Sequence, residues 1–250
     1  MGNYYRAGYF GESSVSDIDV CVNIPNFRCE VCGQHEIVNY YNYPQFDAKS
    51  VLNEDLVSKL GPRIGKRSSD GEIFEIAMQL RRVFKVPVTA GTIFGPTRLR
   101  VTSRPKADFY VLVQHAGLFC RRSAVQKLLA DGLKIEFVES PASGKWASEA
   151  GYVELVVPVI AHQKLPSGVT FCGDCFRHTS KVSFPTVLIQ PGEAELQIPF
   201  FKTIEDGIII FHKWFIETAK RLSLTGFVDG KTILSIDCAQ LDCIRQVKSQ

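Results

Sequence analysis

Two Cys-x-x-Cys pairs constrain the fold of this 250-residue chain more than any other feature of its sequence. The first pair occupies residues 29–32 and the second residues 172–175. A Cys-x-x-Cys turn places both sulfurs on one side of a tight loop, so two such turns supply the four thiolates that a structural Zn²⁺ ion takes at ~2.3 Å. We therefore expect one structural zinc site with four ligands: Cys29, Cys32, Cys172 and Cys175.

The separation between the two pairs determines what such a site does to the fold. The pairs are 139 residues apart, whereas roughly 15–20 residues separate them in a compact zinc module. Loop closure adds only ~0.6 kcal/mol for each doubling of loop length, while zinc binding contributes ~10–16 kcal/mol in small zinc peptides. We therefore expect zinc knuckles at 29–33 and 172–175 to staple an N-terminal loop to a loop two-thirds along the chain.

The cysteine pairs also have two simpler readings. One is a redox Cys-x-x-Cys motif, although no thioredoxin-like pattern flanks either pair, and the other is four ordinary buried thiols. His35 and His178 each lie three residues after a pair and are reserve ligands, although a satisfied or exposed histidine is the simpler reading. Gly33 and Gly173 suit tight loops, because a residue without Cβ lets the backbone turn its N–H groups toward sulfur. The remaining cysteines are expected to be core or surface thiols: Cys21, Cys120, Cys238 and Cys243.

Composition and charge place the chain among globular proteins. Hydrophobic residues make up 45% and charged residues 22% of the sequence, which excludes a disordered chain. The formal net charge of +3 does not by itself indicate a nucleic-acid-binding protein. No apolar run approaches the ~18 residues of a membrane span, and the N-terminus lacks the apolar region of a signal peptide. We expect a cytoplasmic protein without a membrane partner.

Alternating short strands and helices predict an α+β fold with a mixed or antiparallel sheet, a few flanking helices and the zinc-knuckle staple. A succession of strand, basic pair, helix and glycine occurs twice, at 109–138 and at 207–228. This repetition predicts two similar strand–helix–strand units. We expect a single domain over residues 1–250, with a subdivision at 1–105 and 106–250 left open.

Capping residues and apolar periodicity give the positions of individual elements. A short helix is predicted to begin at Asn53 and to end before Gly61. A second helix is predicted to begin at Ser69 or Asp70 and to carry apolar side chains at helical spacing. Aromatic and β-branched stretches predict strands at 4–10, 18–24, 35–41, 153–160, 182–190 and 198–201.

One segment, from Lys59 to Lys106, carries an excess of basic residues. It contains eleven lysines and arginines but three acidic residues, a formal charge of +8 that leaves −5 for the rest of the chain. A basic segment of this kind can face nucleic acid or phosphates. A solvated helix face with adjoining loops is the simpler reading.

Catalytic signatures do not support an enzyme. The chain has no His-Glu-x-x-His, no Gly-x-Ser-x-Gly and no dinucleotide-binding fingerprint. A zinc ion bound by four thiolates has no open position for an activated water. We therefore expect a protein without catalytic activity.

Several segments around the two pairs resemble a known family in their order. They are 43–47 (Tyr-Pro-Gln-Phe-Asp), 91–96 (Gly-Thr-Ile-Phe-Gly-Pro), 109–134, 171–185 and 198–228. Over about residues 27–235 the chain resembles the double-CxxCG-motif family, which includes immunity proteins of myxobacterial swarm-inhibition toxin systems. Phe176 follows the second pair where the family has glycine. The resemblance implies a cytoplasmic protein that binds and neutralises a cognate protein toxin, and it supplies no catalytic residue.

Two functional hypotheses follow from the sequence. The first is an immunity, or antitoxin-like, protein that inhibits a polymorphic toxin by occluding it on a rigid zinc-stapled scaffold. The alternative is a zinc-containing nucleic-acid-binding protein that uses the basic segment 59–106, where aromatic residues are interleaved with the basic ones.

Overall fold

The structure of the protein is a computed structural model that describes residues 4–6, 15–19, 22–33, 41–60, 69–112, 117–161, 172–173, 198–203, 207, 209–226 and 235–236. Within these residues the fold is mixed α+β, with several sheets and few helices. The predicted fold class is therefore confirmed at this level.

The strands are short and are distributed along the whole chain. In chain order they are β1 Tyr4–Arg6, β2 Val15–Asp19, β3 Val22–Asn23, β4 Asn42–Tyr43, β5 Ile93–Phe94, β6 Arg98–Val101, β7 Phe109–Leu112, β8 Gly117–Arg121, β9 Phe137–Glu139, β10 Ala142–Ser143, β11 Tyr152–Leu155, β12 Val159–Ala161, β13 Phe200–Thr203, β14 Ile209–His212 and β15 Ser235–Ile236.

These strands form four sheets within the described residues. The largest has the order β12-β13-β14-β1-β15 and is antiparallel except between β12 and β13. A four-stranded antiparallel sheet has the order β7-β8-β11-β9. The two three-stranded sheets, β10-β6-β2 and β3-β5-β4, each contain one parallel and one antiparallel pair. Because β1 pairs with β14 and β15, the largest sheet joins the two ends of the described chain.

Few helices accompany the sheets. They are α1 Glu54–Leu60, α2 Asp70–Phe84, α3 Arg122–Ala130, α4 Ala147–Ala150 and α5 Lys213–Arg221, with a 3₁₀ turn at Ala48–Ser50.

Side-chain caps fix the first two α-helices where the sequence predicts them. The Asn53 carboxamide oxygen accepts a hydrogen bond from the Leu56 amide at 2.9 Å, at the start of α1. Ser69 and Glu72 form a capping box at the start of α2, in which each side chain accepts a hydrogen bond from the other residue's amide. These bonds satisfy amide groups that have no partner inside the first helical turn.

Helices α3 and α5 end in the same way. The Leu133 amide donates to the Leu128 carbonyl at 3.1 Å, and the Leu224 amide donates to the Ala219 carbonyl at 2.9 Å. These are the six-to-one bonds of a Schellman motif, which needs a left-handed residue just after the helix. Gly132 supplies it after α3 with φ 91°, and Ser223 supplies it after α5 with φ 55°.

The described core consists of three groups of buried side chains. The N-terminal cluster draws on residues 22–94 and includes the buried faces of α1 and α2, together with Cys172. The C-terminal cluster draws on residues 109–224 and includes α3 and α5, where the rings of Phe109 and Phe215 meet edge to face at 5.9 Å. A smaller third cluster lies between β6 and the four-stranded sheet.

Some strand predictions differ from the structure. The predicted strand at 153–160 is two strands, β11 and β12, in different sheets. Pro158, which has no amide hydrogen, lies in the interruption. The predicted strand at 18–24 is likewise divided between β2 and β3, and β8 was not predicted at all. The strand predicted at 182–190 lies outside the described residues, as does the strand predicted at 35–41 except for Tyr41, which is not in a strand.

The two-unit arrangement stays a prediction. Strand β14 leads into α5 as expected, but the strand expected to follow Gly226 begins at residue 227, and residues 227–234 lie outside the described residues. In the first unit, β8 leads into α3, and β9 then pairs with β11 instead of β8. The prediction of a single domain over 1–250 also stays open.

Candidate metal centre

The first knuckle is a tight turn that closes on its own backbone. The Gly33 amide donates a hydrogen bond to the Cys29 carbonyl at 2.8 Å, and Gly33 has φ 68°. The guanidinium of Arg28 donates through Nε to the Gly33 carbonyl at 2.9 Å. Cys29 is fully buried and Cys32 is partly exposed, so the turn directs one thiol into the core and leaves the other at its edge.

The second knuckle is described at Cys172 and Gly173. Cys172 is 8% exposed and belongs to the N-terminal cluster, although it follows that cluster's other members by many residues. Arg81 of α2 donates a hydrogen bond through Nη1 to the Gly173 carbonyl at 3.1 Å. Helix α2 therefore holds this segment beside the first knuckle.

Three thiols from the two knuckles lie close together. The sulfurs of Cys29, Cys32 and Cys172 all lie within 4.8 Å of one another. The sulfurs of Cys29 and Cys172 are 3.8 Å apart, across a sequence separation of 143 residues. Two thiolates bound to one tetrahedral ion at ~2.3 Å are separated by about 3.8 Å. The group could therefore hold a metal ion, as the sequence spacing predicts.

The fourth predicted ligand, Cys175, lies outside the described residues, as do the reserve ligands His35 and His178. Cys120 is fully buried in the C-terminal cluster, and burial raises the pKa of its thiol well above the ordinary value. It is a core thiol, as expected. The other cysteines outside the predicted site, Cys21, Cys238 and Cys243, are not among the described residues.

The knuckles lie against one face of α2. The ring of Phe27, two residues before Cys29, packs edge to face on Phe74 with centroids 5.9 Å apart. Glu30 of the turn also reaches the start of the helix, since one of its carboxylate oxygens lies 2.8 Å from where a Cβ on Gly71 would be. The buried face of α2 and the thiols of Cys29 and Cys172 thus belong to the same cluster.

Sequence reasoning missed the two arginines of this site. Arg28 and Arg81 each hold the carbonyl of the glycine in one knuckle. Arg28 adjoins Cys29 in the sequence, which is a signal that could have been used. Arg81 belongs to the basic end of α2, and nothing in the sequence relates it to residue 173.

Other basic residues of the 59–106 segment have partners within the chain. Lys59 contacts carboxylate oxygens of Asp55 at 3.3 Å and Glu72 at 3.0 Å. Arg104 lies 3.5 Å from Glu149. The structure also shows exposed basic side chains in this segment: Arg82, Lys85, Arg98, Arg100 and Lys106. Part of the segment therefore serves internal contacts.

Comparisons with known proteins do not identify a relative. No protein-family model matches the chain, and no curated protein matches it. The resemblance to the double-CxxCG-motif family therefore stays a prediction from sequence landmarks. Among the helices of the described residues, none combines the length and apolar character needed to span a bilayer.

Proposed function

We propose that the chain is a zinc-stapled binding protein that neutralises a cognate protein toxin. The observation that carries the metal part of the proposal is the meeting of the Cys29, Cys32 and Cys172 sulfurs within 4.8 Å. Cys175 is the proposed fourth ligand, since a Cys-x-x-Cys turn places its two sulfurs on one side.

Zinc is the metal that this donor set favours. Thiolates are soft ligands that select Zn²⁺, Cu(I) or iron–sulfur chemistry, and a tetrahedral set of four sulfurs is typical of structural zinc. Bound zinc would leave no open position and would contribute folding free energy directly. We therefore assign the ion a structural role and propose no catalytic one.

The toxin-binding part of the proposal draws on the resemblance and on a physical requirement. An inhibitor that acts by occlusion binds more tightly when its surface is already ordered before the partner arrives. A metal that joins segments 143 residues apart provides such order. The family resemblance supplies the kind of partner, a polymorphic toxin encoded beside the chain.

Metal analysis tests the first part. The purified full-length protein is expected to contain close to one zinc per chain, and Cys172→Ser or Cys175→Ser should remove most of it. Cys120→Ser is the matched control, because it changes a buried thiol outside the group. Cys32→Ser, at a partly exposed position, covers the case in which the buried variants do not fold. A wild-type protein without zinc, whose melting temperature does not change with chelator, would contradict the proposal.

Co-expression with the neighbouring toxin-like gene tests the second part. We expect restored growth and a complex that co-purifies. Toxicity that persists, with no complex formed, would exclude this function. Binding to nucleic-acid probes with an affinity that falls steeply with salt would then support the alternative based on residues 59–106.

A further inference from the structure

Glu154 is a fully buried carboxylate in the middle of β11. Its neighbours Val153 and Leu155 point to the opposite face of the strand and belong to the C-terminal cluster. The carboxylate accepts hydrogen bonds from the Thr97 amide at 2.7 Å, from the Thr97 hydroxyl at 3.2 Å and from the Asn42 side-chain amide. Three donors therefore hold this one side chain in place.

The groups around Glu154 come from all four sheets. Asn42 lies in β4, Thr97 directly precedes β6, Glu154 lies in β11 and Lys202 lies in β13. Gly117 of β8 leaves room for the carboxylate, since a Cβ there would lie 3.0 Å from its Oε1 atom. Hydrogen bonds to the carboxylate therefore connect β11 to β4 and to the residue before β6, and the charge of Lys202 in β13 acts on it without a hydrogen bond.

Lys202 is the charged residue that acts on this carboxylate. Its side chain is fully buried, and its ammonium nitrogen has no hydrogen-bond partner within the described residues. The Asn42 carboxamide oxygen also lacks one there. Burial raises the pKa of Glu154 from 4.5 to about 7, although its hydrogen bonds and Lys202 oppose the shift. Burial lowers the pKa of Lys202 from 10.5 to about 7, and the charge of Glu154 opposes this shift.

In the described strands, no ionisable side chain lies directly in register beside either member of the pair. The neighbours in register on each side of Glu154 and of Lys202 are apolar: Phe119, Val138, Val159 and Ile209. The protonation of Glu154 therefore depends on burial, on its hydrogen bonds with Thr97 and Asn42 and on Lys202, whereas that of Lys202 depends on burial and on Glu154.

We propose that Glu154 and Lys202 form a proton-linked joint that sets how firmly the four sheets are held together. When the joint opens to water at neutral pH, both groups become charged, as they are in any unfolded chain. When it closes, each charge must be buried or neutralised, and burying it opposes closure. The joint is consequently weakest near neutral pH. It becomes stronger at lower pH, where Glu154 is protonated, and at higher pH, where Lys202 is neutral.

The direction in which stability changes with pH follows from the number of protons that the closed and the open state bind. Between about pH 4.5 and 7 the closed state retains the Glu154 proton that the open state has lost, so stability falls as pH rises. Between about pH 7 and 10.5 the open state retains the Lys202 proton that the closed state has lost, so stability rises with pH. The pair thus contributes a minimum of stability near pH 7.

Thermal unfolding of the full-length protein as a function of pH tests the joint. Relative to wild type, Glu154→Gln should remove the fall in melting temperature between pH 5 and 7. Lys202→Met should remove the rise between about pH 7 and 10. Glu149→Gln is the matched control, because Glu149 forms an exposed ion pair with Arg104 at 3.5 Å and should leave the profile unchanged in shape.

A measurement on the wild-type protein keeps the test independent of variant folding. With ¹³C-labelled lysine, one side-chain resonance should titrate near pH 7, several pH units below the others. Lysine resonances that all titrate near the ordinary value of ~10.4 would overturn the proposal. The proposal would also be overturned if the pH profiles of both variants ran parallel to that of wild type. It would likewise be overturned if the wild-type protein had a plateau of stability at neutral pH and both substitutions abolished that plateau.

Discussion

Gly33 and Gly173 show that residues of the same type have different roles in the two knuckles. Gly33 has φ 68°, in the left-handed region, and its amide closes the turn onto Cys29. Gly173 does not have a left-handed φ, and a Cβ at its position would meet no atom of the described residues within 4 Å. The expectation that glycine suits both tight loops is therefore supported by the backbone only at Gly33.

Substitution of these two glycines forms a matched pair. We expect Gly33→Ala to lower the free energy of unfolding by about 1–2 kcal/mol, because a side chain is strained in the left-handed region. Gly173→Ala should stay within about 0.5 kcal/mol of wild type. Urea unfolding of the metal-loaded protein measures both changes. Equal losses would show that the second knuckle also depends on glycine.

At the scale of elements, α2 organises the N-terminal half. Its capping box fixes where it begins, and its buried face supplies side chains to the N-terminal cluster. Phe74 near its start packs on Phe27, just before the first knuckle, and Arg81 near its end donates a hydrogen bond to Gly173 of the second. One helix therefore positions two segments that are far apart in sequence.

The contact between α2 and the second knuckle gives a prediction at this scale. Arg81→Gln should lower the free energy of unfolding by about 1 kcal/mol, because it weakens a hydrogen bond donated by a charged group. It should also speed the loss of metal to a competing chelator. The neighbouring Arg82→Gln, at an exposed position of the same helix, should change neither quantity measurably. If Arg82→Gln has the same effect, helix charge and not the contact with Gly173 is responsible.

The ends of α3 and α5 give a second prediction. Ser223 adopts a left-handed conformation that costs a residue with a side chain about 1 kcal/mol or more. Ser223→Gly should therefore raise the free energy of unfolding by about that amount, as measured by denaturant titration. The reverse change at the equivalent position, Gly132→Ser, should lower it by a similar amount. A destabilised Ser223→Gly variant would mean that the serine side chain contributes more than the strain it causes.

At the scale of the whole molecule, the described chain has two large buried clusters. The N-terminal cluster contains Cys29 and Cys172, so it depends on a segment from far along the chain. The C-terminal cluster contains both α3 and α5, and a bidentate ion pair between Arg221 and Asp131 joins the ends of these helices. The group formed by Cys29, Cys32 and Cys172 lies at the N-terminal cluster and not at the C-terminal one.

Metal removal should affect the two clusters unequally. We expect a chelator to lower the melting temperature by at least about 10 °C, since metal binding to thiolates is strongly coupled to folding. Hydrogen exchange should speed up first in α1, α2 and the first knuckle, while β8, β11 and α3 keep their protection. Added zinc should restore the original pattern. Equal loss of protection everywhere, or loss confined to the C-terminal cluster, would contradict this assignment.

Local features of the sequence determined where the first two α-helices begin and which cysteines are candidate ligands. Asn53 and Ser69 fix the starts of α1 and α2, because a cap acts on amides within one helical turn. The Cys-x-x-Cys spacing likewise selected Cys29, Cys32 and Cys172, which the structure brings together. Both signals act within a few residues, so they can be read from the chain itself.

Tertiary structure alone decided how these pieces are combined. The division of the 18–24 and 153–160 stretches between sheets depends on which distant strands pair with them, and no local pattern carries that information. The same is true of Arg81 at the second knuckle. Glu154 and Lys202 are a carboxylate and an ammonium group inside apolar strands, and only the packing of four sheets makes them neighbours. Long-range contacts are cooperative properties of the whole fold, whereas caps, turns and ligand spacing are properties of short segments.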